Sequence, residues 1–367
     1  LIYGALKGML SSLDDFSQFM EPDEYNEIKL ETKGEFGGIG IEISLKDGIL
    51  TIVTPLAGTP GETAGLKPGD KIVKIDGVIT KEITLNEAVK KMRGAPGSMV
   101  TLTIWREKEE RVLDIPIKRD IIKIHSIKNA SMLEDKIGYI KLVEFQERTP
   151  QDLDEALEKL ESEGMESLIL DLRNNPGGLL DVAVDVAERF IPKDQVIVSI
   201  KTRTPSQDVV FKSSGKSTRA LYPIVILVNE GSASGSEIVA GAIQDDKRGV
   251  IVGKKTYGKA SVQTVIPMKD GSALRLTTAA YLTPSGKLIR KLGIVPDIVV
   301  EKEERSPAKE EKVDIFEKLE TKPRAPEKEK TMPEEKKPEE KKIERDNQLQ
   351  AAINLLKGLK VYKNINL

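Results

Sequence analysis

The sequence predicts an α/β (α+β) chain, in which a core of alternating strands and helices is interrupted by a small β-rich module and followed by a charged linker and a terminal helix. Three observations carry that prediction. Between residues 120 and 300 strand-like and helix-like runs alternate, and twice a strand of buried type ends in a glycine-containing turn that opens a helix. Between residues 34 and 119 short strands and turn signals surround a single helix. From Glu301 to Arg345 there are 15 acidic and 14 basic residues, with prolines at 307, 323, 326, 333 and 338, a mixture that buries too little apolar surface to offset its chain entropy.

Residues 1–33 read as a helical segment, opened by the amphipathic run Leu1-Ile-Tyr-Gly-Ala-Leu-Lys-Gly-Met-Leu10. The chain starts inside that helix with no initiator methionine, signal peptide or apolar span of membrane length, so a missing leader or anchor is expected. In residues 34–119 strands are expected at Ile39–Ile43, Ile49–Val53, Asp70–Gly77 and Val100–Trp105. The helix Thr84–Met92 has Thr84 as its cap and Glu87 three residues on, the spacing of a capping box. In residues 120–300, Ser167–Leu172 reads as a buried strand, Asn174–Gly178 as a turn, and Leu180–Ile191 as a helix with apolar residues at 180, 184, 187 and 191. The pattern repeats as strand Ile224–Asn229, turn Glu230–Ser232 and helix Ser234–Gln244, followed by Gly249–Gly253. Both turns should lie at one end of a largely parallel sheet, where open α/β sheets place their sites. Residues 301–345 form the flexible linker; residues 346–367 form a helix with Asp346 as its cap candidate. Leu349, Ala352, Ile353 and Leu356 share one face of it, and that face needs a surface in this subunit or another.

A length of 367 residues with 39% hydrophobic content supports two or three domains and a sizeable core. The net charge of −2 creates no positive field toward nucleic acid or membrane, which removes nucleic acid as a partner class. The absence of cysteine excludes a disulfide scaffold, a thiolate metal site and thiol catalysis, and fits reducing and oxidising compartments alike. His125 is the only histidine and falls in the strand-like run Ile121–Ile127, where it reads as packing. A Ser-His-Asp triad is therefore poorly served, and the task of a base moves to lysine.

Ser234, in Asn229-Glu-Gly-Ser-Ala-Ser-Gly-Ser-Glu237, stands at the first turn of its helix, where unpaired N–H groups and the positive dipole end face a bound oxygen. The N–H of Gly235, with one from Gly177 or Gly178, supplies candidate oxyanion donors. Lys259, in Thr256-Tyr-Gly-Lys-Ala-Ser-Val-Gln263, acts as a base only when neutral, which requires burial or nearby positive charge. Serines at helix starts also serve as simple caps, and most lysines of a lysine-rich chain are surface groups, so neither residue identifies a site alone. Gly253-Lys-Lys-Thr-Tyr-Gly-Lys259 also matches the frame of a phosphate-binding loop. Ala260 at the magnesium-binding Ser/Thr position and a strand-like Ser261–Pro267 in place of a helix count against that reading.

Gly37-Gly-Ile-Gly-Ile41 and Ala64-Gly-Leu-Lys-Pro-Gly-Asp-Lys-Ile-Val-Lys-Ile-Asp-Gly77 resemble the carboxylate-binding loop and the internal stretch of a PDZ domain. The whole pattern resembles the C-terminal processing peptidases of family S41, tail-specific proteases with a Ser-Lys dyad. It is carried by Leu13-Asp-Asp-Phe-Ser17, the PDZ-like module, Asp171-Leu-Arg-Asn-Asn-Pro-Gly-Gly178, Gly231-Ser-Ala-Ser-Gly-Ser-Glu-Ile238, Tyr281-Leu-Thr-Pro-Ser-Gly286 and Gly293-Ile-Val-Pro-Asp-Ile298. These occur in family order, with the family's separation between Ser234 and Lys259. Gly235 departs from the alanine usual after the nucleophile, and Phe16 from the histidine common in the N-terminal motif.

The resemblance implies a crotonase/ClpP-like core, Ser234 as nucleophile, Lys259 as general base and Gln263 as the residue holding the lysine. It implies protein substrates with free apolar C-termini, captured by Gly38, Ile39, Gly40 and Ile41 with Leu85, Val89 and Met92 as pocket walls. It further implies no metal or organic cofactor, an exported enzyme in the periplasm or on the outer face of the cytoplasmic membrane, a dimer or larger homo-oligomer, and an activating adaptor. The alternatives are a PDZ adaptor on an inactive peptidase-like scaffold and a crotonase-like acyl-thioester enzyme, to which a PDZ insertion is foreign.

Overall fold

The computed structural model describes residues 1–302, apart from positions 47, 124, 217, 218 and 220, together with residues 346–365. The expected linker lies, beyond residue 302, outside the described residues. The described residues form two compact units, one of residues 1–34, 125–302 and 346–365, the other of Glu35–Lys123.

The larger unit is built on a six-stranded sheet in the order Ile127–Met132, Ile137–Leu142, Ser167–Asp171, Ile224–Val228, Val250–Gly253, Ile298–Val299. Only the first pair is antiparallel. Ser167–Asp171 and Ile224–Val228 are buried at every position, which explains their near-continuous branched aliphatic runs: both faces of a parallel sheet are covered. Leu168, Leu170, Ile224 and Ile226 pack in the core shared with helices Thr149–Ser162, Leu180–Glu188 and Gly235–Asp245. Ile169, Val225 and Leu227 face the other way, against Ala352, Ile353 and Leu356 of the terminal helix Asn347–Ile365. Full burial of each of the Val, Leu and Ile side chains stabilises by about 1.5–3 kcal/mol. The surface that helix needs is thus in its own subunit.

Asp346 caps the helix by accepting the Leu349 N–H at 3.0 Å. It also pairs with Arg173 at 2.7 Å, which in turn pairs with the buried Asp171 at 2.7 Å. Burial pushes the Asp171 carboxyl up, but Arg173 and Lys141 more than offset this and hold it below the usual carboxylate range.

A second, antiparallel sheet in this unit centres on Ala273–Leu282, flanked by Gln18–Met20, Ser261–Pro267 and Val196–Thr202, with Val209–Lys212 outermost. His125 corrects an expectation. It lies exposed between the strands Asp120–Lys123 and Ile127–Met132, because the chain leaves one unit there and enters the other, cutting the apolar run.

In the smaller unit the strand order is Ile41–Lys46, Ile49–Pro55, Lys71–Ile75, Met99–Arg106, Arg111–Lys118, with Val78–Ile79 beside Lys71–Ile75. Asp120–Lys123 pairs with Glu35–Gly38, so this unit runs a few residues past 119. The helix Leu85–Met92 begins at the capping box of Thr84 and Glu87. Buried Arg106 grips Asp70 through two hydrogen bonds of 2.8 and 2.7 Å, donates from Nη2 to the Gly65 carbonyl as well, and turns its remaining nitrogen, Nη1, toward Glu109 at 3.5 Å. Ile41–Lys46 is an edge strand, and the helix lies against it. Among the described residues, no helix is long and apolar enough to cross a membrane.

Candidate active site

The two strand–turn–helix repeats bring their turns together at the carboxyl ends of neighbouring parallel strands. Asn174 and Asn229 join the turns, with Asn229 Oδ1 accepting the Asn174 N–H and Asn229 Nδ2 donating to Asn174 Oδ1, both at 2.8 Å. The Ala233 N–H and the Ser236 hydroxyl donate to the Asn175 carbonyl at 3.0 and 2.9 Å. Ser234 sits where the second turn enters its helix, with φ 53° and ψ −111°. That conformation costs a non-glycine residue about 1–3 kcal/mol and persists only where surrounding bonds hold it.

The holding group is Glu237, fully buried in the first turn of the same helix. Its Oε2 accepts the N–H of Ser234 and of Lys259, both at 2.9 Å. Its Oε1 accepts the Thr256 hydroxyl at 2.6 Å and the Gly258 N–H at 2.7 Å. One carboxylate therefore fixes the backbone at both residues. From below, the buried Tyr281 hydroxyl donates to the carbonyl of Lys259 and, at 3.2 Å, to that of Ser234.

Ser234, Lys259, Gly178 and Gln263 line one cavity of about 310 Å³. Its walls also include Phe145, Leu179, Leu180 and Ile238, with Glu31, Glu144 and Arg275 as charged members. Burial first, and the Arg275 guanidinium second, hold the Lys259 amine below the ordinary lysine range, against an opposing pull from Glu237. The Phe16 ring lies 4.9 Å from Lys259 Nζ, positioned by Asp14, which accepts the Phe16 N–H at 2.8 Å. Among the hydrogen bonds of the described residues, none joins Ser234 Oγ to Lys259 Nζ, and Gln263 Nε2 donates to Ser261 Oγ at 3.0 Å.

The two turn glycines differ. The Gly177 N–H is spent on Asn175 Oδ1 at 2.9 Å, whereas those of Gly178 and Gly235 meet no acceptor among the described residues. Gly177, with φ 105°, lies so close to the nucleophile turn that a Cβ there falls 2.7 Å from Ser234 Cβ and 2.8 Å from the Gly235 nitrogen. At Gly178, with φ 147°, it falls 2.1 Å from the Phe145 carbonyl oxygen. At Gly235 a Cβ meets the Phe145 ring at 3.1 Å and Ala183 at 3.2 Å, so an alanine methyl fits only if these neighbours give by a few tenths of an ångström.

The other predicted residues lie in the smaller unit. Gly38, Ile39 and Gly40 lead into the edge strand at Ile41, and the N–H groups of Ile39 and Gly40 meet no acceptor among the described residues. Ile39 and Met92 are buried in that unit's core, Ile41 and Val89 are half-buried, and Leu85 is exposed at the head of the helix. The phosphate-loop frame Gly253–Lys259 leads into strand Ser261–Pro267, with no helix to present its dipole to an anion. Nothing in the sequence singled out Glu237, Tyr281 or Arg275, and Phe16 stood out only as a departure from the family's usual histidine. Glu237, Tyr281 and Phe16 stand inside the motifs quoted above, whereas Arg275 stands in none of them.

Residues 136–300 match the model of peptidase family S41 and residues 51–106 that of the PDZ domain. The chain is 46% identical over 305 residues to a carboxy-terminal-processing protease of Bartonella bacilliformis, covering 82% of this chain and 70% of that protein. It is 38% identical over 307 residues to a carboxyl-terminal-processing protease of Synechocystis, covering 82% and 71%. Among solved structures, the photosystem II D1 C-terminal processing protease matches with a TM-score of 0.53 at 32% identity, over 82% of this chain and 81% of that one.

Proposed function

The chain belongs to peptidase family S41, with the carboxy-terminal processing proteases, and from that premise we propose that it cuts proteins near their C-termini through an acyl-enzyme on Ser234. The neutral amine of Lys259 takes the Ser234 hydroxyl proton as Oγ attacks the scissile carbonyl. The oxyanion is received by the N–H groups of Gly235 and Gly178, the pair left without acceptors. The Lys259 ammonium then gives its proton to the leaving amine; in the second half, neutral Lys259 takes a proton from the attacking water and returns it to Ser234 Oγ as the acyl group leaves. Gln263, on the cavity wall, turns from Ser261 to hold Lys259 once substrate is bound. The observation that carries this reading is Glu237, which ties Ser234 and Lys259 to one buried carboxylate beside a single cavity.

The smaller unit, a PDZ domain, captures the substrate's terminal carboxylate at the N–H groups of Ile39 and Gly40, while the tail adds to the free edge of Ile41–Lys46. Ile41, Leu85 and Val89 offer the apolar side of that groove, with Ile39 and Met92 beneath. Charge-assisted hydrogen bonds of roughly 1.5–3 kcal/mol each make the free carboxylate worth tenfold or more in capture. Export to the periplasm or the outer face of the cytoplasmic membrane, and assembly into a dimer or larger oligomer with an activating adaptor, complete the proposal on family resemblance; a cysteine-free chain folds alike in either redox compartment. The alternative, an adaptor on an inactive scaffold, is disfavoured by the presence of Ser234, Lys259 and Gln263 together.

The test incubates the chain with an unfolded protein ending in Ala or Val and reads the fragments by mass spectrometry, beside the same protein with an amidated terminus. Cleavage near the free terminus and at least tenfold slower cleavage of the amide are expected. Binding without any cleavage supports the adaptor, and equal cleavage of both removes tail recognition from the account.

A further inference from the structure

Arg275 lies on the strand Ala273–Leu282, opposite Val265 on one side and Gln18 on the other. The register with strand Ser261–Pro267 slips by one residue between Ala279 and Thr277, so simple alternation does not relate Arg275 to Tyr281, yet both line the catalytic cavity. Its Nε is buried and has no hydrogen-bond partner among the described residues. Buried guanidinium nitrogens are ordinarily paired, so an orphan beside a reactive lysine asks for a reason. Burial weakens the hold of Arg275 on its proton, yet a guanidinium stays charged at any working pH.

The groups that face Lys259 come from five elements. Phe16, from the N-terminal segment, presents its ring and favours the ammonium form. Glu237, from the nucleophile helix, binds the Lys259 N–H and pulls the same way. Glu31, from helix Pro22–Lys33, and Glu144, just past strand Ile137–Leu142, are acidic wall residues of the cavity. From the long strand come Tyr281, bonded to the Lys259 carbonyl, and Arg275. Of these groups Arg275 alone carries a charge that opposes the ammonium, and it acts in the same sense as burial.

We propose that Arg275 is a positioning residue that acts through Lys259: its guanidinium, with Nε buried and without a partner among the described residues, lines the same cavity as the amine and holds it ready to take the Ser234 proton. The inference rests on the Ser234–Lys259 reading for its catalytic meaning, but the charge coupling itself is measurable without catalysis.

The experiment follows carbamylation of Lys259 by cyanate, which reacts only with the neutral amine, from pH 6 to 11 in the Ser234→Ala chain, reading the Lys259 peptide by mass spectrometry. Arg275→Gln and Arg275→Met, two uncharged residues of different shape, are each compared with Arg275→Lys after circular dichroism has established that the variants are folded. Loss of the charge should raise the Lys259 midpoint by about one pKa unit, lowering carbamylation at pH 8 about tenfold, with Arg275→Lys restoring most of it. A midpoint unchanged in both uncharged variants overturns the proposal, as does an Arg275→Lys curve that follows the uncharged ones. The pH profile of kcat/KM in the Ser234 enzyme separates the two readings. A limb that moves with the carbamylation midpoint supports both, whereas a shifted midpoint with a stationary limb upholds the coupling and removes Lys259 as the base.

Discussion

Replacing Glu237 with Gln should disable the site without touching either dyad side chain. Each carboxylate oxygen of Glu237 accepts two donors, Oε2 from the N–H groups of Ser234 and Lys259 and Oε1 from Thr256 Oγ1 and the Gly258 N–H. Glutamine keeps one acceptor and sets an NH2 group against the other two donors, so two hydrogen bonds to a charged group, each worth roughly 1.5–3 kcal/mol, are lost. The total of about 3–6 kcal/mol is a large part of the roughly 5–15 kcal/mol that holds a typical domain folded. It should lower the melting temperature by roughly 10 °C. Because the same bonds hold Ser234 in its unfavourable backbone conformation, the relaxed variant misplaces nucleophile and base together, and kcat should fall on the order of 100-fold. KM should change little if the substrate tail is captured elsewhere. Thermal unfolding by circular dichroism and turnover of an unfolded substrate measure both effects. A variant that melts within a degree or two of the parent and keeps its kcat would show that the carboxylate is not the clamp.

Gly178→Ala should lose nearly all activity and melt earlier, since its methyl carbon meets the Phe145 carbonyl oxygen at 2.1 Å and φ is 147°, as turnover and thermal melts would register. Arg106→Met strands Asp70 in the smaller unit's interior and should cost about 3–5 kcal/mol, seen as an earlier calorimetric transition together with loss of the preference for a free substrate carboxylate. Asp171 and Asp346 feel burial first, but their bonds to Arg173 win and hold both below the ordinary range. Carboxyls depressed in the folded state stabilise it fully above their unfolded pKa of about 3.9 and lose that contribution as pH falls through the lower folded values. Limited proteolysis with an acid-active protease should therefore release the terminal helix on acidification below about pH 4, and Asp346→Ala should make it labile at neutral pH; resistance of both at every pH contradicts the anchoring role.

The elements of the core were legible because their chemistry is local. The run Ile224–Val228 is apolar at every position and Ser167–Asp171 at its three central ones, since helices cover both sheet faces, and Thr84 with Glu87 announces its helix at fixed spacing. Ser234 and Lys259 were legible as a pair because the chain has a single histidine and no cysteine. His125 misled because alternation cannot reveal that the chain changes units there. Glu237 looked like an ordinary helix-start acid, and its four partners are contributed by two segments that only the folded turns bring together. Gly177 and Gly178 were interchangeable in sequence; the side chain of Asn175 distinguishes them by taking one N–H. Arg275 had no local signature, for its meaning depends on the partner it lacks.

The most direct test of the account is covalent labelling of Ser234. The chain is treated with a fluorophosphonate at pH 8, and the intact mass and the labelled peptide are followed with time in the unaltered protein, Ser234→Ala, Lys259→Ala and His125→Ala. The account predicts a single adduct on the peptide containing Ser234, absent in Ser234→Ala, slowed at least 100-fold in Lys259→Ala, and unchanged in His125→Ala, whose side chain is exposed outside any strand. Labelling of Lys259→Ala at the parent rate, or an adduct on a different serine, would contradict it.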